Sequence, residues 1–361
     1  MTHQIFGESE KIFGFRDLRV NICCSAARMK TLVQVKHSGS VDSVEDIPAD
    51  DIMQLLSQHL QPGFLTNESE FVKELANEST FKPYGELIHS YQVTKGGESR
   101  TFEMFRTSIE TPGFRDFHER IQPFLLFYVD AASYIDVDDE KWTYYLLFEK
   151  YQFEGSTRYA FAGYMTIYSY YAYPGLIRPR ISQVLVLPPF QRQGHCAAML
   201  QAFYNLCYKN DDIKDITIED PSENFQRVRD FVDARNCMTL APFKSLKLLF
   251  GFSGDMERQA RIKFKINKKQ ARRVYEILRL KRTDPSNEHE YREFRLDVKR
   301  RINIPFQKRG REFDKLSKFL QPTELAATMN SQREQRLEYL QSTFEELLEE
   351  YQKVIERLNM I

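Results

Sequence analysis

The residues best arranged for chemistry lie at 181–200. An apolar run, Val184-Leu185-Val186-Leu187, meets Pro188-Pro189-Phe190 and then Gln191-Arg192-Gln193-Gly194-His195-Cys196-Ala197-Ala198-Met199-Leu200. The run reads as a buried strand, the glycine-bearing segment as a turn, and the remainder as a helix start. Such a turn presents backbone N–H groups that have no carbonyl within the helix, at the positive end of the helix dipole, which suits a pyrophosphate. The ligand implied is a phosphorylated cofactor. A Walker loop is excluded because no Gly-Lys-Ser/Thr closes the turn, and a dinucleotide fingerprint because Gly-x-Gly-x-x-Gly is absent. Taken alone, a strand, turn and helix with one glycine is equally a piece of scaffold. A second group, Glu219-Asp220-Pro221-Ser222, follows strand-like residues 215–218. It reads either as a carboxylate site for acid–base work or as a strand end with a helix cap.

Several elements must position these groups. The first hundred residues mix strand-like runs at 31–35 and 87–93 with a helix around 50–60, punctuated by Pro62-Gly63 and Gly96-Gly97. An amphipathic helix is expected over 114–134. Two aromatic strands follow, 142–151 and 159–171, flanking Phe153-Glu154-Gly155-Ser156 as a hairpin. After Tyr173-Pro174-Gly175 come the cofactor strand and helix, a strand at 215–218 and a helix over 223–235. From Gly251 the pattern turns helical and rich in Lys, Arg, Glu and Leu. Its last helix starts near Pro322 with Thr323 as the cap, and carries Leu337, Leu340, Phe344, Leu347, Leu348, Tyr351, Val354, Ile355 and Leu358 at spacings of three and four.

The strand, Gln-x-x-Gly-x-small turn and helix resemble the acetyl-CoA loop of the general N-acetyltransferase (GNAT) superfamily. Ile135-Asp136-Val137-Asp138-Asp139-Glu140, Ile218-Glu219-Asp220-Pro221-Ser222 and the stretch from Phe264-Lys265-Ile266-Asn267-Lys268 to Arg279 closely resemble the catalytic subunits of type B histone acetyltransferases. The likeness runs from about Phe6 almost to the C-terminus. It implies an α/β (α+β) GNAT core between a small N-terminal α/β domain and a helical C-terminal extension, divided as 1–110, 111–250 and 251–361. It also implies acetyl-CoA as donor, lysine ε-amines of the tail of newly synthesised soluble histone H4 as acceptors, and a WD-repeat histone chaperone of the retinoblastoma-binding type as partner. The chain begins at Met1-Thr2-His3-Gln4, immediately before the matching region, so any N-terminal extension that contributes to partner binding would lie outside it.

An unperturbed lysine, with pKa about 10.4, is neutral in only about one molecule in 2,500 at pH 7, so acetyl transfer needs a base. The resemblance places acidic residues at Glu219, Asp220 and Asp130. Glu219, desolvated by aromatic walls, is expected to be the principal general base, with Asp220 its companion and Asp130 a third candidate. Direct attack in a ternary complex is the expected route. Backbone groups of Val184, Leu185 and Val186 are expected to pair with the pantetheine arm, and Gln191, Arg192, Gln193, Gly194, His195, Cys196 and Ala197 to wrap the pyrophosphate; His195 reads as a solvent-facing loop residue, and Asn224 is a weaker cofactor candidate. Glu8, Ser9, Glu10, Tyr168, Ser169 and Tyr170 match the family's histone-contacting segments, carboxylates and tyrosines being suited to a lysine ammonium and its stem. Two residues depart from the family pattern. Cys196 stands where Gly or Ala is usual, and Asp130 replaces Glu, with a side chain one methylene shorter.

Composition narrows the partners. Formal net charge is zero, so no global field advertises nucleic acid, although residues 256–319 carry roughly +12 and the tail from Leu320 roughly −4 counted along the sequence. Direct nucleic-acid binding is not expected, since basic helical faces are usually solvated surface. No signal peptide or membrane-spanning run is evident. The five cysteines, Cys23, Cys24, Cys196, Cys207 and Cys237, lack CxxC spacing and the histidines are scattered, so a reducing compartment and no metal are expected. Lys308-Arg309-Gly310-Arg311 and Lys299-Arg300-Arg301 are nuclear-import candidates, consistent with residence in nucleus and cytoplasm. Two rivals stay open: a GNAT acting on other amines, and an acetyl-CoA-binding histone carrier with little turnover.

Overall fold

The computed structural model describes residues 3–41, 48–307 and 322–360. The chain forms two compact units, Met1–Tyr171 with Pro179–Ala202, and Ala172–Arg178 with Phe203–Ile361. This division differs from the three segments read from the sequence. The strand at Glu98–Thr107 pairs directly with Trp142–Phe153, the first strand after residue 110, which puts both sides of that boundary in one unit.

In the first unit, β1 (Arg19–Cys24) and β2 (Thr31–Lys36) form a hairpin. Helix α1 (Ile52–Ser57) follows Asp51, whose side chain accepts from Gln54 N–H, and α2 (Glu68–Ala76) is capped in the same way by Asn67. The main sheet takes β3 (Glu86–Lys95), β4 (Glu98–Thr107), β5 (Trp142–Phe153), β6 (Ser156–Ala172) and β7 (Leu176–Val186), each beside the next. The first four pair antiparallel. Glu154 and Gly155, at φ of +50° and +73°, make the two-residue turn that the Glu-Gly pair predicts.

The helix expected over 114–134 is two short helices, α3 (Phe114–Ile121) and α4 (Pro123–Tyr128). Pro123 has no N–H to donate and its ring crowds the carbonyl four residues back, so the helix restarts there; Val129 is already extended. Helix α3 buries Phe114, Phe117, His118 and Ile121, at spacings of three and four, on the sheet. Phe114 lies 5.0 Å from Tyr144, and Phe117 5.4 Å from Phe161, between ring centroids. Gly163 of β6 has a different duty. A Cβ there would stand 2.4 Å from Leu185 O, so only glycine lets β6 and β7 approach this closely.

In the second unit, Arg178 forks onto buried Asp215 at 2.5 and 3.0 Å, with Ile177 bridged to Ile213 and Ile216 to Ile266. The strand expected at 215–218 is reduced to β8 (Thr217–Ile218). Helices α6 (Glu223–Cys237), α7 (Gly254–Phe264), α8 (Lys268–Arg282), α9 (Glu288–Ile302) and α10 (Pro322–Asn359) follow; α5 (His195–Tyr208) links this unit to the first. Thr323 falls inside α10 and is not its cap.

Several arginines of this unit bond buried carboxylates. Fully buried Glu276 accepts from Arg272 at 2.8 Å, from both Arg301 nitrogens at 2.7 and 2.8 Å and from the Tyr351 hydroxyl at 2.8 Å. Buried Asp230 accepts from Arg273 at 2.6 Å, with Gln226 and Gln270 completing its shell. Part of the local positive charge therefore answers internal carboxylates. Arg301 belongs to one of the two import candidates; the other, at 308–311, lies outside the described residues.

Candidate active site

Strand β7 ends at Val186, a short 3₁₀ turn covers Pro188–Phe190, and α5 starts at His195. Leu185 is buried, while Val184 and Val186 are half-buried. The intervening turn needs two left-handed residues, Arg192 at φ +58° and Gly194 at +88°. Gly194 adopts this conformation without strain, whereas Arg192 holds it at some cost. Gln191 donates its side-chain N–H to Val186 O at 2.8 Å and Gln193 to Pro189 O at 2.9 Å, so both amides build the turn from within. Ala198 N–H bonds Gly194 O, so the N–H groups at 195–197 precede the helical ladder and carry its positive end. This backbone cradle fits a pyrophosphate.

His195 is not the solvent-facing residue expected. It is 2% exposed, its Nδ1 lies 2.7 Å from the Tyr91 hydroxyl, and its ring packs 4.1 Å from Phe102. Burial depresses its pKa to about 4. Its imidazole is neutral at pH 7, leaving only its backbone for the phosphate.

A second group lies at the start of β5 and the end of β6. Trp142 is the Cα partner of Tyr168, their rings 4.9 Å apart at 68°, and the Tyr170 ring lies 4.5 Å from that of Tyr168. The two tyrosines thus share a face, with Ser169 between them bonding Lys141 O through its N–H. The Tyr168 hydroxyl donates to Asp139 Oδ2 at 2.7 Å. The backbone N–H of Lys141, and then this Tyr168 bond, hold the Asp139 carboxyl below its ordinary pKa. Arg180 lies over Tyr170 at 4.7 Å and Lys141 over Tyr168 at 5.9 Å. These tyrosine faces therefore accept cations. Trp142, Asp139 and Arg180 are not among the site residues expected from the sequence, although Trp142 is the single tryptophan of the chain.

The N-terminal segment meets Asp130. Gln4 donates to Leu126 O and Val129 O at 2.9 and 2.8 Å and accepts from Ala132 N–H at 3.0 Å, clamping the end of α4. Beside it, His3 stands 3.5 Å from Glu10 Oε1 and 3.3 Å from Asp130 Oδ1. A carboxylate from the segment expected to contact histone and a catalytic candidate are brought together around one imidazole. Asp130 is 68% exposed, and Glu8 and Ser9 are exposed as well.

Glu219, Asp220 and Asn224 belong to the second unit. The Glu219-Asp220-Pro221-Ser222 segment does end a strand and cap a helix, since Ser222 accepts from Phe225 N–H at 3.3 Å. Asp220 holds a left-handed φ of +27°. Glu219 is exposed, not desolvated between aromatic walls as expected. Asn224 accepts from Arg227, which is forked onto Glu350 at 2.9 Å, so its amide is already engaged.

Known proteins match this chain throughout. A family model described as "Histone acetyl transferase HAT1 N-terminus" matches residues 1–130, and another, "Histone acetyltransferase type B catalytic subunit, C-terminal", matches 229–280. The histone acetyltransferase type B catalytic subunit of Mus musculus is 46% identical over 361 residues, covering 99% of this chain and 87% of that protein. The chain belongs to the family of type B histone acetyltransferase catalytic subunits. The Homo sapiens member is 45% identical over 99% of this chain and 86% of its own length, and that of Mycosarcoma maydis 29% identical over 97% and 81%. Among solved structures, an aminoglycoside acetyltransferase from a soil metagenome, in complex with sisomicin, shares 17% identity over 37% of this chain and 86% of its own, at a TM-score of 0.27; that likeness is too slight to carry an argument. As a family member the protein is an acetyltransferase. The matched 1–130 segment ends at Asp130, and the matched 229–280 segment holds the carboxylates Asp230 and Glu276 that anchor the helical unit. Among the described residues no group of three or more His, Cys, Asp or Glu side chains is placed to hold a metal, and no helix is long and apolar enough to cross a membrane.

Proposed function

We propose that this acetyltransferase moves acetyl groups from acetyl-CoA to lysine ε-amines in the tail of soluble, newly made histone H4, working with a WD-repeat chaperone in cytoplasm and nucleus. The single observation that carries the donor is the turn at 191–197, whose two left-handed residues present a helix N-terminus to anionic phosphate. Acetyl-CoA, when bound, supplies the thioester carbonyl that the lysine amine attacks. Val184, Leu185 and Val186 hold the pantetheine arm along β7, and the backbone from Gln191 to Ala197 holds the pyrophosphate. Trp142, Tyr168 and Tyr170 take the lysine stem and its charge, with Asp139 fixing the Tyr168 ring. Glu219 takes the amine proton, with Asp220 and Asp130 as secondary carboxylates.

The test is thiol release from acetyl-CoA with a synthetic H4 tail peptide, run for the parent and Glu219→Gln across pH, followed by mass mapping of the peptide. A loss of roughly a hundredfold in kcat for the variant supports Glu219 as base. Equal turnover removes it from that role. The exposure of Glu219 and the shortened Asp130 favour one rival, an acetyl-CoA-binding histone carrier, and binding without product would establish it. Efficient acetylation of small polyamines in place of the peptide would establish a GNAT acting on other amines.

A further inference from the structure

The pyrophosphate turn is tied to itself by Gln191 and Gln193, which bond carbonyls five and four residues away. A different contact ties it to a distant part of the sheet. Tyr91 on β3 and Phe102 on β4 are direct cross-strand partners, their rings stacked 5.7 Å apart. The His195 ring lies over both, 5.9 Å from Tyr91 and 4.1 Å from Phe102, with Phe190 of the 3₁₀ turn on a third side. The Tyr91 hydroxyl meets Nδ1 at 2.7 Å across 104 residues of sequence. His195 Nε2 is buried with no protein partner among the described residues, so this one bond directs the ring.

We propose that Tyr91 is a positioning residue for the pyrophosphate turn, acting through the His195 side chain, which plugs the first turn of α5 onto β3 and β4. The reason is geometric. His195 is the first residue of α5 and lies one residue after left-handed Gly194. Wherever its ring is held, the neighbouring N–H groups are aimed, and ligand stabilisation by fixed dipoles depends on that aim being set beforehand. The neutral imidazole suits the task because it accepts or donates one bond without placing a charge among aromatic rings. The sequence Gln-x-x-Gly-x-small needs no histidine at its variable position, so Tyr91 and His195 form a pair that the motif does not itself demand.

The inference rests on the proposal that this turn holds acetyl-CoA, and the experiment separates the two. Binding of CoA and of pantetheine, and turnover with acetyl-CoA and S-acetylpantetheine, are measured for the parent, Tyr91→Phe, His195→Leu and the double variant, with thermal melting as a check of folding. Pantetheine lacks the pyrophosphate. The expected result is a roughly tenfold rise in Kd for CoA and in KM for acetyl-CoA in Tyr91→Phe, with kcat kept within about twofold and the pantetheine donors unaffected. The double variant should be no worse than His195→Leu alone, because the two residues act as one. Equal weakening of both donors would make Tyr91 a general fold residue and overturn the inference, as would unchanged CoA affinity. A parent that binds pantetheine and CoA alike would overturn the pyrophosphate assignment itself.

Discussion

The Tyr168 hydroxyl donates to Asp139 Oδ2 across 2.7 Å, joining a strand to the loop before the neighbouring strand. The bond fixes the ring beside Trp142 in one orientation. Tyr168→Phe keeps the ring and loses the bond, worth about 1 kcal/mol. The expected outcome is a rise of about fivefold in KM for an H4 tail peptide, with the Kd for CoA unchanged, measured by peptide titration of thiol release. An unaltered peptide KM would show that the ring is held by packing alone.

Gly163→Ala should be costly out of proportion to one methyl group. The added carbon would meet Leu185 O at 2.4 Å and Val186 Cα at 3.0 Å, both backbone atoms that cannot turn aside. Overpacking of this kind typically costs about 1–3 kcal/mol. Urea unfolding should show that loss, and CoA affinity should fall with it, since the displaced carbonyl belongs to the strand proposed to hold the pantetheine arm.

Glu276→Gln tests the buried charge cluster. The carboxylate answers Arg272 and Arg301 together, and a neutral amide strips Arg301 of its counter-charge and leaves Arg272 with Asp297 alone. Breaking a buried ion pair from one side typically costs about 3–5 kcal/mol. Denaturant curves should register that loss, while Arg300→Gln, on the solvated side of α9, should change stability by less than about 0.5 kcal/mol.

Acid should weaken the first unit through two histidines. The pKa of both His118 and His195 is lowered to about 4, by burial in each and by the nearby Arg115 charge as well in His118, against about 6.5 in an unfolded chain. The unfolded chain therefore binds protons first as pH falls. The stabilising contribution is complete above about pH 6.5 and is lost progressively toward pH 4. Urea midpoints from pH 7.5 down to 5 should fall, and more shallowly in His118→Leu, which removes one titrating group. Parallel curves for parent and variant would contradict this. Among the described residues neither ring nitrogen of His118 has a protein partner, and the Tyr144 and Tyr164 hydroxyls are buried in the same condition.

The hairpin shows how far the sequence could be followed. The Glu154-Gly155 turn was legible, and counting outward from Phe153 opposite Ser156 places Trp142 opposite Ile167. The register shifts between Leu147 and Phe148, where Ala162 is skipped, so Trp142 instead faces Tyr168. One residue of slip exchanges the two faces of a strand. A buried alanine between two buried neighbours carries no mark of a bulge, and the aromatic group stayed hidden for that reason.

Elsewhere legibility followed the range of the interaction. The turn, α5 and the Ser222 cap depend on residues within four or five positions, and all were readable. The burial of His195 depends on Tyr91 and Phe102, and the meeting of Glu10 with Asp130 depends on His3 and Gln4, more than a hundred residues from the segment they clamp. The break at Pro123 was readable in principle, because proline inside an amphipathic run resets the helix.

Glu276 gathers side chains from its own helix, from α9 and from α10, so losing α9 would strand charge and losing α10 would take the Tyr351 hydroxyl from a buried carboxylate. Such an arrangement favours concerted opening over fraying one helix at a time. In native-state hydrogen exchange, amides along α8, the inner face of α9 and the 344–358 stretch of α10 should share one opening free energy and behave as a single cooperative block.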